Sequence, residues 1–154
     1  VKRTLQMAVD PALFNQIRGT TDSETAFYLA LTLGLDSEPQ AAMERMVGLV
    51  EEAQAHTGIS EPFRLTCAFS DGETIYAIRY ATDGKPKTLY HNRAGKGLND
   101  VLYENSDSEG RGTILLSEPI DDCPENWVSV PSGSFVTVRK GDVRCEPFQP
   151  IPSG

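Results

Sequence analysis

The stretch best equipped for chemistry is "GTTDSETAFYLALTLGL", residues 19–35. It places Thr21, Asp22 and Glu24 at the mouth of an amphipathic helix. Thr21 followed three residues later by Glu24 has the spacing of a capping box: the Thr hydroxyl accepts from the backbone N–H of residue 24, and the Glu side chain reaches back. Asp22 has two readings on residue type alone. It is a first-turn acid that favours the positive end of the helix dipole, or it is a fixed carboxylate that holds a ligand. The residues of this stretch do not choose between them.

Other reactive side chains form no recognisable constellation. His56 and His91 have no neighbouring nucleophile motif; there is no GxSxG and no HExxH. Each reads as a surface or capping histidine. "NRAGKGLND" holds Gly95 and Gly97 but no convincing helix follows, so it makes a poor phosphate cradle. The three cysteines, Cys67, Cys123 and Cys145, are odd in number and widely spaced. Without a CxxC, and with two histidines, they give no zinc site, and neither a metal nor a cofactor is expected. They read as reduced thiols, with Cys67 alternating with Phe63, Leu65 and Phe69 as a core residue. Arg79 reads as a substrate or structural contact, and Glu118 and Trp127 as packing and loop anchors.

The elements that must position these residues follow from periodicity. "DPALFNQIRG" offers Asp10 as N-cap, Pro11 at the first helical position and Gly19 as a stop. In the quoted stretch Phe27, Ala30 and Leu31 fall on one helical face, and Gly34 ends the helix. A second helix is expected from a box of Ser37 and Gln40 around Pro39. Its face is Met43, Met46, Val47 and Val50, widened by Ala42, Leu49 and Ala53, and Gly58 closes it. The methionines read as core.

From residue 62 the period becomes two. "FRLTCAFS", the Asp71-Gly72 turn, "TIYAIRYA", the Asp83-Gly84 turn, "PKTLYHN", "GTILLSEP", "NWVSVPSGSFVTVRK" and "DVRCEPF" read as six or seven antiparallel strands. The tail "QPIPSG" reads as loose. Two helices followed by strands make an α+β chain, one domain over residues 1–154. "TIYAIRYA" sets Tyr76, Ile78 and Tyr80 on one face and Ile75, Ala77 and Arg79 on the other. "TILLSEP" is apolar on both faces too. Such strands need cover on both sides: two helices for one, and a second sheet for the other.

Composition is that of a globular protein, with 39% hydrophobic and 23% charged residues. A net charge of −8 disfavours a nucleic-acid partner. The acidic "ENSDSEGRG" reads as a solvated loop. No apolar run approaches the ~18–20 residues of a membrane span. "VKRTLQMAVD" has no apolar leader, so a cytoplasmic location is expected.

Taken in order, "TDSE", "DGETIYAIRYA", "KTLYHN", "SEPIDDCPENW" and "VPSGS" resemble the C-terminal half of class-II glutamine amidotransferases. The branch most resembled is that of small bacterial amidotransferase-like proteins related to the amidohydrolases of ergothioneine biosynthesis. The likeness runs over residues 14–140. It implies the N-terminal-nucleophile hydrolase fold, a four-layer αββα sandwich, with the second sheet supplied by residues preceding Val1.

The resemblance also assigns Asp22 a role, that of the carboxylate that binds the α-amino group of glutamine. An ammonium favours a fixed carboxylate, and a charge-assisted bond is stronger than a neutral one. Thr21 and Glu24 then keep their capping role and hold Asp22 in place, and Gly19 allows a close backbone approach.

The nucleophile of that family is an N-terminal Cys whose own amine is the base. This chain starts at Val1, and the glutamine-carboxylate arginine and the oxyanion Asn-Gly pair also fall before the matching region. No catalytic residue is therefore expected within it. The expected partners are glutamine or a γ-glutamyl compound and a complementary N-terminal polypeptide. A fragment of a two-chain protein, a truncated chain and a degenerate relative all fit. The leading function is hydrolysis of the glutamine side-chain amide through a Cys outside this chain. The alternative is a non-catalytic interaction module of residual amidotransferase-like fold.

Overall fold

The computed structural model describes residues 1–93 and 112–152. The Gly95/Gly97 stretch and the acidic "ENSDSEGRG" loop, except its final Gly112, lie outside them. The chain divides into two compact units, one helical and one of β-strands.

The helical unit contains α1 (Lys2–Ala8), α2 (Pro11–Phe14), α3 (Asp22–Thr32) and α4 (Pro39–Thr57). One more helix, α1, is present than the sequence pattern predicted. α1 leaves no periodic signal in the sequence because it buries only Leu5 and has no side-chain cap. α2 starts as expected: Asp10 Oδ1 accepts from the Ala12 N–H at 2.7 Å, with Pro11 at the first position. It stops at Phe14, however, well before Gly19.

The buried face of α3 differs from the expected one. Thr25, Leu29 and Ala30 are inside, whereas Phe27 is 47% exposed. The stripe therefore runs i, i+4 from Thr25 to Leu29. The Thr25 hydroxyl has no hydrogen-bond partner among the described residues.

α4 matches its pattern except at Leu49, which is half-buried: Ala42, Met43, Met46, Val47, Val50 and Ala53 are buried. Its start does not. Glu38 is the N-cap without a side-chain bond, and the Ser37 hydroxyl donates to the Gly34 carbonyl instead. The Ser37–Gln40 box is thus absent: Glu38, not Ser37, is the N-cap, and Pro39 takes the first helical position.

α3 and α4 end alike. Gly34 (φ +95°) and Gly58 (φ +69°) take the left-handed conformation. This lets Leu35 reach the Ala30 carbonyl and Ile59 the Gln54 carbonyl, both at 3.0 Å. Arg45 of α4 donates to the Leu33 carbonyl at 2.9 Å and to Glu38 at 3.1 Å, tying α4 to the end of α3.

The tail is anchored rather than loose. Phe148 is buried, Gln149 N–H donates to Glu44 Oε1, and Ile151 N–H donates to the Glu44 carbonyl, each at 3.0 Å. The tail fits because α4 carries Gly48 where they meet: a Cβ there would lie 2.0 Å from the Ile151 carbonyl oxygen.

The strand unit spans residues 64–147. β1 (Arg64–Ser70), β2 (Thr74–Ala81), β6 (Ser134–Arg139) and β7 (Asp142–Pro147) form a four-stranded antiparallel sheet in the order β1-β2-β6-β7. β3 (Tyr90–Asn92), β4 (Leu115–Leu116) and β5 (Trp127–Ser129) form a second sheet, β4-β3-β5, and a 3-10 turn (Pro124–Asn126) precedes β5. Part of the second-sheet cover expected from outside the chain is therefore found within it. Ala77, Val136 and Val138 of the first sheet pack with Leu89 and Val130, and Leu115 and Val143 lie against them.

The Asp71-Gly72 hairpin forms as read, with Asp71 Oδ1 accepting from Glu73 (2.9 Å) and Thr74 (2.7 Å). The "PKTLYHN" strand is shorter than expected. Pro86 offers no N–H, and side chains occupy its neighbours' carbonyls. Arg64 donates to Lys85 at 3.2 Å and Arg79 to Lys87 at 2.9 Å. "NWVSVPSGSFVTVRK" holds two strands, β5 and β6, which makes seven in all among the described residues. Pro131 cannot donate to a ladder, and Gly133 bonds the Arg79 carbonyl at 2.8 Å as the chain passes from one sheet to the other.

Candidate functional site

The first turn of α3 gathers all three predicted residues. Thr21 is the N-cap, its hydroxyl accepting from Glu24 N–H at 3.3 Å, as the capping box requires. Glu24 reaches further back than a simple box. Its Oε1 accepts from Arg18 N–H at 3.0 Å and its Oε2 from Gly19 N–H at 2.7 Å. One carboxylate thus clamps two consecutive amides of the loop that enters the helix. Gly19 serves that clamp, because a Cβ there would lie 2.5 Å from Glu24 Oε2.

Asp22 is the first helical residue, and its side chain is 86% exposed. Lys2 of α1 brings its ammonium to 3.3 Å from Asp22 Oδ1. The same ammonium donates to the Thr20 carbonyl. Thr20 and Asp22 therefore present a carbonyl and a carboxylate to one primary ammonium, and the Glu24 clamp fixes the loop that carries them. The pair offers an ammonium a full charge from Asp22 and a directional acceptor from Thr20. Sequence reasoning missed Lys2 and the Thr20 carbonyl. A contact across eighteen residues and an intervening helix leaves no local signal.

The other singled-out side chains are structural. Arg79 crosslinks loops of the strand unit through the carbonyls of Lys87 and Val130. Glu118 accepts from the Thr88 hydroxyl at 2.7 Å. Trp127 is buried, and its indole N–H donates to Asp121 Oδ1 at 2.8 Å. Asp121 also accepts from Cys123 N–H (2.9 Å) and the Asn126 amide (3.1 Å). These three donors, the indole first, hold its carboxyl below the usual range. Asp121 thus organises the "DDCPENW" turn, a role its sequence context hid among four acids. His56 bonds the Glu52 carbonyl at 2.9 Å at the end of α4, a capping position. His91 bonds the Asn92 carbonyl at 2.9 Å.

None of the three thiols is in a disulfide. Cys67 is half-buried rather than fully in the core, and burial pushes its pKa up to about 11. Cys123 is exposed, and the Asp121 charge leads the effects that raise its pKa. Neither is poised as a thiolate at neutral pH. Among the described residues no three His, Cys, Asp or Glu side chains converge as a metal site. No helix among them is long and apolar enough to cross a membrane.

Comparison with known proteins gives one direction. The chain is similar to the probable glutamine amidotransferase DUG3 of Saccharomyces cerevisiae, 28% identical over 172 residues that take in 96% of this chain and 48% of that protein. Its fold matches the structure of a glutamine aminotransferase class-II domain protein from Silicibacter pomeroyi. There the TM-score is 0.81 and the identity 29%, over 97% of this chain and 61% of the other. The chain thus spans about half the length of the curated relative it matches. No protein-family profile matches the chain.

Proposed function

We propose that this chain is the substrate-amine-binding part of a class-II glutamine amidotransferase domain that hydrolyses the side-chain amide of glutamine or a γ-glutamyl compound. Asp22 and the Thr20 carbonyl receive the substrate α-ammonium, and Thr21 and Glu24 hold them in place. The observation that carries this reading is the pair of acceptors already turned on one primary ammonium, that of Lys2. The similarity to glutamine amidotransferase relatives over 96% and 97% of this chain supports it.

The remaining chemistry comes from residues outside this sequence. A Cys at the start of an N-terminal polypeptide attacks the amide carbon, with its amine as base. The C–S bond forms, the C–N bond breaks, ammonia leaves with the transferred proton, and water hydrolyses the thioester to glutamate. On this reading the domain is a four-layer αββα sandwich of the ergothioneine-type branch, working in the cytoplasm.

The test pairs this chain with a Cys-initiated N-terminal half and follows glutamate release. Asp22→Asn removes the charge and keeps the shape. It is expected to raise the glutamine KM about 10- to 100-fold, the worth of a hydrogen bond to a charged group, with a smaller effect on kcat. An unchanged KM sinks the assignment of Asp22.

A further inference from the structure

A second charged site lies on the strand unit. Thr74 and Tyr76 of β2, Thr137 and Arg139 of β6, and Arg144 of β7 line an open groove of about 580 Å3, with Lys140 and Asp142 at its turn end. The register explains the convergence. Thr74 pairs with Arg139, Tyr76 with Thr137, and Thr137 with Arg144. All five side chains share one face of the sheet, because alternate residues of paired strands point the same way.

Three cations thus meet in a chain of net charge −8. The existing partners of the two arginines are solvent-facing. Arg139 lies 3.1 Å from Glu73, and Arg144 lies 3.4 Å from Asp142. The Glu73 and Asp142 side chains are 79% and 70% exposed. Exposed pairs of this kind hold weakly and yield to a better anion.

The turn adds an independent observation. Lys140 has φ +51° and Gly141 φ +83°. Asn or Asp is the usual residue at the first position of such a turn. This chain instead sets a long cation there, in the region of backbone space that an L-residue with a bulky side chain adopts at a cost.

We propose that this groove binds a phosphate group, carried on a small molecule or free. Two guanidinium forks on adjacent strands, a lysine and two threonine hydroxyls offer more donors than a carboxylate can use. A phosphate dianion, with three acceptor oxygens, uses them. The Tyr76 ring, in contact with Phe69 (centroids 5.1 Å) and Phe135 (5.9 Å), gives the groove a fixed aromatic edge.

The experiment titrates the full chain with inorganic phosphate and with phenyl phosphate at constant ionic strength, following amide NMR shifts. Saturable shifts centred on Thr137, Arg139 and Arg144 are expected. Arg139→Gln and Arg144→Gln, at exposed side chains, should each weaken binding about tenfold without changing the melting temperature appreciably. Tighter binding of phenyl phosphate identifies a phosphorylated small molecule as the ligand class; equal binding identifies free phosphate. Shifts reproduced by chloride alone, or affinity unchanged in both variants, overturn the proposal. The outcome is independent of any role for Asp22.

Discussion

The Lys2 ammonium and the Asp22 carboxylate, residues of two different helices, lie 3.3 Å apart, and the same ammonium also donates to the Thr20 carbonyl. If this acceptor pair receives glutamine, Lys2 competes with the substrate for it. The Asp22 side chain is 86% exposed, so the pair is worth little, of order 0–1 kcal/mol for contacts of this kind. Lys2→Ala is expected to lower the glutamine KM of the reconstituted enzyme by up to about fivefold, with kcat unchanged. The effect should fade in ~1 M salt, where such charges are screened. A KM that rises instead would mean that Lys2 shapes the site rather than occupying it.

The Glu24 clamp predicts coupling between two positions. Glu24→Gln weakens both charge-assisted bonds to the Arg18 and Gly19 amides and should cost about 1 kcal/mol in urea unfolding. Gly19→Ala displaces the same carboxylate and should cost a similar amount. The double variant should cost less than the two together, because they break one interaction. Simple additivity would show that the loop is held by other contacts.

Gly48 predicts a reversal of the ordinary helix rule. Inside an exposed helix, Gly→Ala stabilises by about 1 kcal/mol. Here the new methyl would meet the Ile151 backbone. Gly48→Ala is expected to destabilise by about 1–3 kcal/mol, within the range for overpacking, and to open the tail to proteolysis. In a chain ending before Phe148, the same substitution should be neutral or stabilising.

Asp121 predicts an acid transition read by the only tryptophan. Its folded pKa is depressed by the Trp127 indole, the Cys123 amide and Asn126. Stability from these bonds is therefore fully present above the ordinary carboxyl pKa, about 3.9. It is lost as pH falls through the lower folded value. Trp127 fluorescence should change below the usual carboxylate range, and Asp121→Asn should abolish that transition. A transition that persists in Asp121→Asn would assign it to another acid.

The features legible in the sequence rest on contacts within a few residues. Thr21 caps Glu24 N–H, Asp10 caps Ala12 N–H, and Asp71 turns its hairpin, each by a hydrogen bond spanning two or three residues. α4 held because its heptad-like face repeats over nineteen residues, long enough for periodicity to outweigh local noise. Where segments were short, neighbours decided. α1 buries one residue, and Phe27 is as apolar as Leu29 but faces water. The strands after Gly84 are cut short by Pro86, Pro131 and the arginines that take their carbonyls.

By itself the sequence determined the helix-then-strand order, the turns and caps, and the resemblance that marked Asp22. Each of these depends on side-chain type and on spacing within one element. Only the tertiary structure decided that Lys2 faces Asp22, that the tail returns to Gly48, and that Arg139 and Arg144 share a face. Those contacts join residues up to about a hundred positions apart, and chain closure over such distances is fixed by packing and strand register rather than by any local pattern.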